Sequence, residues 1–296
     1  MKFYMWADKE SDLLGPIRDT ARAYGITPEI IGEGAIIEPR GEINESSDFV
    51  FKIFALKEAV SKLKDDEIVC CTDAFDVLYQ DNEDAIREKF LSFNCDIVYS
   101  AEKLYSNQYR RYRGHFDKRA KTAYRYVNAG GVIGYARAIR TMLGTITSEK
   151  RFMENADEPK AAERLMRNAY EGLLSLGAKT IGRSPLRGMA RRLLPNPGAL
   201  KYIPRKISGK FSDQTRIGQY VATNPDNLDI RLDYGCKIFW CIAGEWDDIE
   251  SHYEVKNKRI TNKNTGSSPS FIHVVMLDKY PHILAGFYGL IMGKNR

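Results

Sequence analysis

Two hydrophobic periods alternate along the first third of the chain. Lys2 to Ala7 is a short apolar run that suits a strand. Asp8 or Ser11 then stands at the head of a helix running to about Tyr24, with Leu13, Leu14, Ile17, Ala21 and Tyr24 on one face. Thr27 to Ile31 predicts a second strand, and the stretch after it, Gly32 to Ser47, reads as a loop interrupted by Gly, Pro and Asn. Phe49, Ile53, Leu56, Val60 and Leu63 recur at helical spacing behind Ser47 or Asp48 as cap. Glu67 to Tyr79 reads EIVCCTDAFDVLY and predicts a third strand. Asn82 to Phe93 is amphipathic through Ile86, Phe90 and Leu91, and Cys95 to Ser100 predicts a fourth strand. Strand and helix in this alternation predict an α/β fold with a mostly parallel, Rossmann-like central sheet and flanking helices.

The pattern changes after that. Tyr105 to Tyr126 is basic and aromatic, which suits an active-site loop or a nucleic-acid surface. Val127 to Ala136, VNAGGVIGYA, sets paired glycines before an apolar run. Pro159 to Leu176 and Ser212 to about Val221 predict helices. Asp229 to Leu232, Lys237 to Cys241, a polar Tyr253 to Thr261 and a strong Phe271 to Leu277 predict strands. The longest apolar run, Ile283 to Met292, is interrupted by Gly286 and Gly289 and is about half of what a bilayer span needs. Its default role is docking on the domain; a membrane surface is the alternative.

Composition refines this picture in two places. The 296 residues fit one large α/β domain, with 43% hydrophobic and 28% charged residues as in ordinary soluble proteins. The formal net charge of +6 is unevenly placed. Lys179 to Lys210 holds nine Lys and Arg with no Asp or Glu, so the remainder carries −3. That segment belongs to a basic insertion at about 149–211, and such a field attracts nucleic acid, anionic lipid or acidic glycans. A solvated, proline-broken loop is the plain alternative. The N-terminus has too short an apolar run for a signal-peptide core, and the five cysteines are odd in number and lack C-x-x-C. Both point to a reducing, cytoplasmic setting without structural disulfides, possible contact with a membrane periphery coming from the basic segment.

The chemistry gathers at Glu67 to Tyr79. An apolar run empties into Thr72-Asp73-Ala74-Phe75-Asp76, setting two carboxylates three positions apart where a strand ends. Ligands of open α/β sheets bind outside the carboxyl ends of strands. Two carboxylates there seat a hard cation that holds a diphosphate, or are simply solvated or capping aspartates.

Read in order, several stretches point further. They are Ala7-Asp8-Lys9-Glu10, the helix with Lys52, Thr72 to Leu78, Tyr99-Ser100-Ala101-Glu102 and Tyr126 to Tyr135. Ser212-Asp213-Gln214, Leu232 to Phe239 and Ile272-His273 complete the series. Together they resemble the glycosyltransferase domain of the procollagen lysyl hydroxylase (PLOD) family, over nearly everything except the basic segment. The resemblance implies a GT-A fold, a UDP-sugar donor and a divalent cation, Mn²⁺ or Mg²⁺. It implies that Asp73, Asp76 and His273 hold the metal and that Phe75 stacks on the base. Lys52 would lie by the donor, Asp213 near sugar and acceptor, and Asn128 in an N-A-G-G version of the family's N-S-G-G. Gly130 and Gly131 would let the backbone approach the sugar. Asp213 would accept the acceptor's proton, bind sugar hydroxyls, or cap its helix.

Three departures shape the functional reading. The family's histidine is usually followed by Gly-Asn-Gly, and here by Val274-Val275-Met276. An aromatic loop after Ala-Glu becomes Lys103-Leu104-Tyr105-Ser106, and the basic segment precedes Asp213. The favoured expectation is a metal-dependent glycosyltransferase that moves a sugar to a hydroxyl acceptor: a glycan, lipid-linked glycan, protein or nucleic acid, anionic or membrane-associated. The alternatives are a non-catalytic GT-A-like protein binding nucleic acid or membrane through the basic segment, and a nucleotidyltransferase.

Overall fold

The computed structural model describes residues 1–7, 11–32, 48–105, 112–148, 213–257 and 259–293. The basic insertion, Lys179 to Lys210 within it, the helix expected over Pro159 to Leu176 and most of the loop after Gly32 lie outside the described residues. Along the chain run β1 (Lys2–Trp6), α1 (Leu14–Ala23), β2 (Glu29–Ile31), α2 (Asp48–Ser61), β3 (Ile68–Asp73) and β4 (Val77–Tyr79). Next come α3 (Glu83–Phe93), β5 (Ile97–Glu102), α4 (Arg113–Arg119), β6 (Tyr126–Tyr135) and α5 (Ala136–Ser148). The last stretch holds α6 (Asp213–Thr223), β7 (Ile230–Leu232), β8 (Phe239–Cys241), α7 (Ile249–His252), β9 (Tyr253–Lys256), β10 (Arg259–Asn262), β11 (Phe271–His273) and α8 (Pro281–Met292).

The central sheet has the order β2-β1-β3-β6-β5-β7. β1 is parallel to β2 and β3, and β5 to β7. β6 alone is reversed, running antiparallel to β3 and β5. The expected mostly parallel sheet is therefore present, with one reversed strand at its centre. β3, β5 and β6 are buried almost end to end, which is why they read as continuous apolar runs. Helices α2, α5 and α6 pack on one another, while α1 packs on β4 and α8.

Several elements differ from their sequence expectation for identifiable reasons. Glu67 to Tyr79 forms two strands. β3 stops at Asp73, and β4 joins a second sheet of order β4-β11-β8. Aspartates suit a strand interior poorly, and the chain bends out of the ladder between them. Tyr253 to Thr261 is a hairpin turning at Asn257, whose φ is 51°, a conformation that Asn tolerates. The strand from Phe271 ends at His273, and Met276 takes a φ of 63°. In α1 the buried face is Leu14, Ile17, Thr20 and Ala21, while Leu13 is exposed.

Two features hold the second sheet in place. Asp233 is fully buried and accepts the backbone N–H groups of Lys237, Ile238 and Phe239 at 2.9, 2.6 and 2.8 Å, which fixes the start of β8. The closing apolar run forms α8, with Pro281 in its first turn and Gly293 at φ 64° after its end. It docks on the domain. Phe287 is buried with its ring 5.7 Å from Trp240 and 5.1 Å from Tyr253, and the Tyr288 hydroxyl donates to Asp19. Among the described residues no helix is long and apolar enough to cross a membrane. Truncating Phe287 empties a packed site between Trp240 and Tyr253. Phe287→Ala is expected to lower unfolding free energy by about 3–5 kcal/mol, read from the urea midpoint at unchanged slope.

Candidate active site

Strand register builds the site. Trp6 of β1 lies beside Asp73 of β3, and Thr72 lies opposite Gly131 of β6, so Asp73 ends its strand level with Gly130. In the second sheet Val77 of β4 is opposite His273 of β11. The Val274 N–H donates to the Asp76 carbonyl at 2.7 Å. The short loop between β3 and β4 thus hangs between the two sheets, and His273 reaches it from the far end of the sequence. Asp73, Asp76 and His273 each offer a ligand atom, and these atoms lie within 4.8 Å of one another. His273 Nε2 is 3.3 Å from Asp76 Oδ1 and 3.8 Å from Asp73 Oδ2.

The orientation of His273 is set by Asn128. Asn128 Oδ1 accepts from His273 Nδ1 and from the Gly130 N–H, both at 3.0 Å, and Asn128 Nδ2 donates to Glu102 Oε2 at 3.0 Å. Turning the amide over would set its NH₂ against the Gly130 N–H, so the network fixes the assignment. Nδ1 then carries a proton, and in the neutral ring the Nε2 lone pair faces the two carboxylates, as a metal-binding histidine requires. Glu102 is held in turn by Gln214 Nε2 at 2.8 Å, and the Ala129 N–H donates to Gln214 Oε1 at 3.3 Å.

The two glycines make room for this arrangement. A Cβ on Gly130 would fall 2.0 Å from His273 Cε1 and 2.9 Å from Asp73 Oδ2; one on Gly131 would fall 2.6 Å from the Phe239 ring. The second sheet can therefore lie directly on β6 only where β6 has no side chains. Sequence reasoning assigned these glycines to the sugar; the contacts they make here are with His273 and Phe239.

Lys52 comes from α2 and is buried. Its Nζ donates to Asp73 Oδ1 and to the Ala129 carbonyl, each at 2.5 Å. Burial works against its charge, but Asp73 and Asp213 more than offset this and raise its pKa. Asp213 opens α6, is buried, and accepts the Gln214 N–H at 2.6 Å. Burial pushes its pKa up to about 6, with Lys52 pulling the other way and Asp73 adding to the rise. Burial also opposes a proton on His273, yet Asp76 and Asp73 leave its pKa raised. Phe75 is half-buried at the edge of the core, between the two aspartates.

All nine residues singled out from the sequence lie on this β3, β6, α2, α6 and β11 constellation or in the loop after β3. Two that sequence reasoning gave no role also belong to it. Glu102 and Gln214 complete the polar chain behind His273. Their signal was a polar residue at the end of an apolar strand and the residue beside Asp213.

Comparison with known proteins identifies the family. The family model described as the PLOD GT domain matches residues 3–158, more than half of the chain. The chain belongs to the PLOD GT domain family. It is a glycosyltransferase domain, and its mixed α/β architecture with a mostly parallel central sheet agrees with a GT-A fold. Procollagen-lysine,2-oxoglutarate 5-dioxygenase of Drosophila melanogaster is 31% identical over 132 residues, covering 42% of this chain and 17% of that protein. Procollagen-lysine,2-oxoglutarate 5-dioxygenase 2 of Homo sapiens is 28% identical over 139 residues, covering 44% and 18%. The match thus spans less than a fifth of these relatives' own length. Among solved structures, the galactosyltransferase LgtC with donor and acceptor sugar analogs is similar at a TM-score of 0.45 and 10% identity, covering 97% of this chain and 96% of that one. Mouse xyloside xylosyltransferase 1 is similar at 0.35 and 10% identity, covering 89% and 72%.

Two predictions follow from the geometry. Gly130→Ala forces His273 off the carboxylates, so whatever affinity this candidate site has for a divalent cation, titrated by calorimetry with Mn²⁺ as the probe, is expected to fall at least about 10-fold. Gly144→Ala, at a helix position with nothing within 4 Å of the added carbon, is expected to leave it unchanged. The second concerns Glu102, whose pKa burial pushes from the ordinary 4.5 to about 7, with Asn128, Gln214 and His273 pulling back. Between those values the unfolded chain has released this proton and the folded one keeps it. Stability therefore falls as pH rises through that window, by up to about 3 kcal/mol, and levels off above about 7. Glu102→Gln is expected to remove this component of the slope in urea unfolding measured from pH 4.5 to 8.

Proposed function

We infer that this glycosyltransferase moves a hexose from a UDP-sugar to a hydroxyl acceptor, with Mn²⁺ or Mg²⁺ held by Asp73, Asp76 and His273. The observation that carries this reading is the convergence of three ligand atoms from opposite ends of the chain within 4.8 Å. A second supports it: the buried Asp76 Oδ1 has no hydrogen-bond donor while the His273 ring, whose Nε2 is 3.3 Å away, is neutral, and a cation between the two would satisfy both atoms. Two oxygens and one imidazole nitrogen suit Mn²⁺ better than Ca²⁺. When bound, the cation supplies a Lewis acid for the departing diphosphate.

The chain's own residues do the rest in this reading. Lys52 holds Asp73 by Oδ1 and leaves Oδ2 turned toward His273. Asn128 keeps the proton on His273 Nδ1, and Glu102 keeps Asn128 from rotating. Phe75 offers a flat apolar face to the base, an interaction worth about 1–3 kcal/mol. Asp213, with a pKa of about 6, is mostly ionised at neutral pH and accepts the proton of the attacking hydroxyl. Gly130 and Gly131 contribute by admitting His273 and Phe239.

The acceptor is a glycan, lipid-linked glycan, protein or nucleic acid. The basicity of Lys179 to Lys210 supports an anionic or membrane-associated one, met in the cytoplasm. The test is a screen of UDP-sugars by UDP release and thermal shift, with Mn²⁺ and with chelator. Expected is donor-dependent stabilisation and metal-dependent UDP release, reduced at least about 100-fold by Asp73→Ala plus Asp76→Ala. Release that is indifferent to chelator and to that double variant would overturn the reading.

A further inference from the structure

Lys103 to Tyr126 holds eight Lys and Arg against one acid, Asp117, and mixes these cations with aromatic residues. The structure separates the two. Phe116 and Tyr126 are buried, and the Tyr126 ring lies 4.9 Å from that of Tyr105 and 6.5 Å from that of Phe116. Arg113 covers the Tyr105 ring at 5.3 Å. The one acid is engaged as well. Asp117 accepts from the Tyr126 hydroxyl at 2.7 Å and pairs with Arg113 at 3.3 Å and Arg125 at 3.7 Å. Lys118, Arg119 and Lys121 are left on the outside, exposed. Among the described residues no carboxylate pairs with any of the three, and Arg119 meets the His115 ring.

Local structure does not explain three such charges. A helix C-terminus stabilises cations in its last turn, which accounts for Lys118 and Arg119 in α4, but Lys121 stands beyond it. Like charges this close repel one another, and an anion seated among them removes that cost. The surface is also held in place beside the candidate site. β3 and β5 both run against β6, so Asp73 and Glu102 end their strands at the same edge of the sheet. The Arg125 N–H donates to the Glu102 carbonyl at 3.0 Å and closes the lobe on that edge. Thr122 Oγ1 donates to the Tyr234 carbonyl at 2.5 Å, and Lys103 pairs with the buried Glu245. The lobe therefore rises from the edge that carries the candidate metal ligands.

The chemistry of the surface says what it fits. A single-stranded nucleic acid needs open aromatic faces on which bases stack, and here Tyr105 and Tyr126 are turned to each other. A membrane surface needs exposed apolar side chains to enter the acyl boundary. The exposed residues of 112–126 are Arg113, Gly114, Lys118, Arg119, Lys121 and Ala123. What they offer is charge without a wedge or a stacking platform, which suits a hydrophilic acidic chain. We propose that Lys118, Arg119 and Lys121 form a docking surface for an acidic glycan, whose sulfate, phosphate or carboxylate groups rest on these cations while a hydroxyl of the same chain is offered to the site. This rests on the hydroxyl-acceptor reading given above and names its acceptor class.

The test titrates the whole chain with a heparin-derived hexasaccharide, a short DNA duplex and phosphatidylserine vesicles, without donor or metal, over a range of salt. One variant combines Lys118→Ala, Arg119→Ala and Lys121→Ala. A control combines Lys2→Ala, Arg22→Ala and Lys64→Ala, exposed cations at the start of β1, in the last turn of α1 and before β3. Both are expected to melt within roughly 2 °C of wild type. The first is expected to bind the hexasaccharide at least about 10-fold more weakly, with a plot of log affinity against log salt shallower by about 2; the control is expected to change neither. Equal loss in both variants, or loss in neither, overturns the proposal. A wild-type protein that holds the duplex or the vesicles more tightly than the hexasaccharide overturns it in favour of that partner. UDP release with Mn²⁺ and no glycan is measured apart. Release indifferent to chelator overturns the donor reading alone, because the hexasaccharide titration needs neither donor nor metal and decides the surface by itself.

Discussion

The contact on which the structure depends is the seating of the His273 imidazole on Gly130. It joins two sheets whose strands come from distant parts of the chain. With a Cβ on Gly130 the ring would have nowhere to lie, since that carbon would fall 2.0 Å from it. Because it does lie there, the ring meets Asn128 on one side and Asp76 and Asp73 on the other. Packing and ligand geometry are here one constraint: the close approach that fills the core between β6 and β11 also brings Nε2 to the carboxylates. Gly131 under the Phe239 ring extends the same contact by one residue along β6.

Around that contact the carboxylates outnumber the ammonium groups. Lys52 is buried and hydrogen-bonded to Asp73 and to a backbone carbonyl, and Asp213 adds to the rise in its pKa. A buried charge is costly unless it is paired and its remaining hydrogens are satisfied. Lys52 meets the condition, and so it serves Asp73 before it can serve any ligand. Behind His273 the chain of Asn128, Glu102 and Gln214 is satisfied link by link, which restricts the ring's rotation without adding a formal charge next to it. The raised pKa of Glu102 reflects how far that chain has been taken from water.

The periphery fixes the same centre from outside. Asp233 sets the start of β8 by receiving three backbone N–H groups, and β8 carries Phe239 to Gly131 and Trp240 to Phe287 of α8. The closing helix therefore supports the sheet that bears His273. Trp246 and Tyr280 hold the turn that follows His273.

The sequence by itself determined the alternation of strand and helix, the mostly parallel central sheet and the docked terminal helix, because burial on one face or two leaves a periodic mark. It also determined the candidate ligands, once ordered motifs were read together as a family resemblance. It did not show that Glu67 to Tyr79 divides between two sheets, that β6 runs backwards, or that Gly130 lies beneath His273. Those depend on register and on contacts between residues far apart in the chain, such as Gly130 and His273, which no local period records. Lys52 illustrates the limit. Helical spacing placed it on a helix, and only the tertiary structure, which brings its ammonium to Asp73 of β3 and the Ala129 carbonyl of β6, decided that its charge belongs to Asp73.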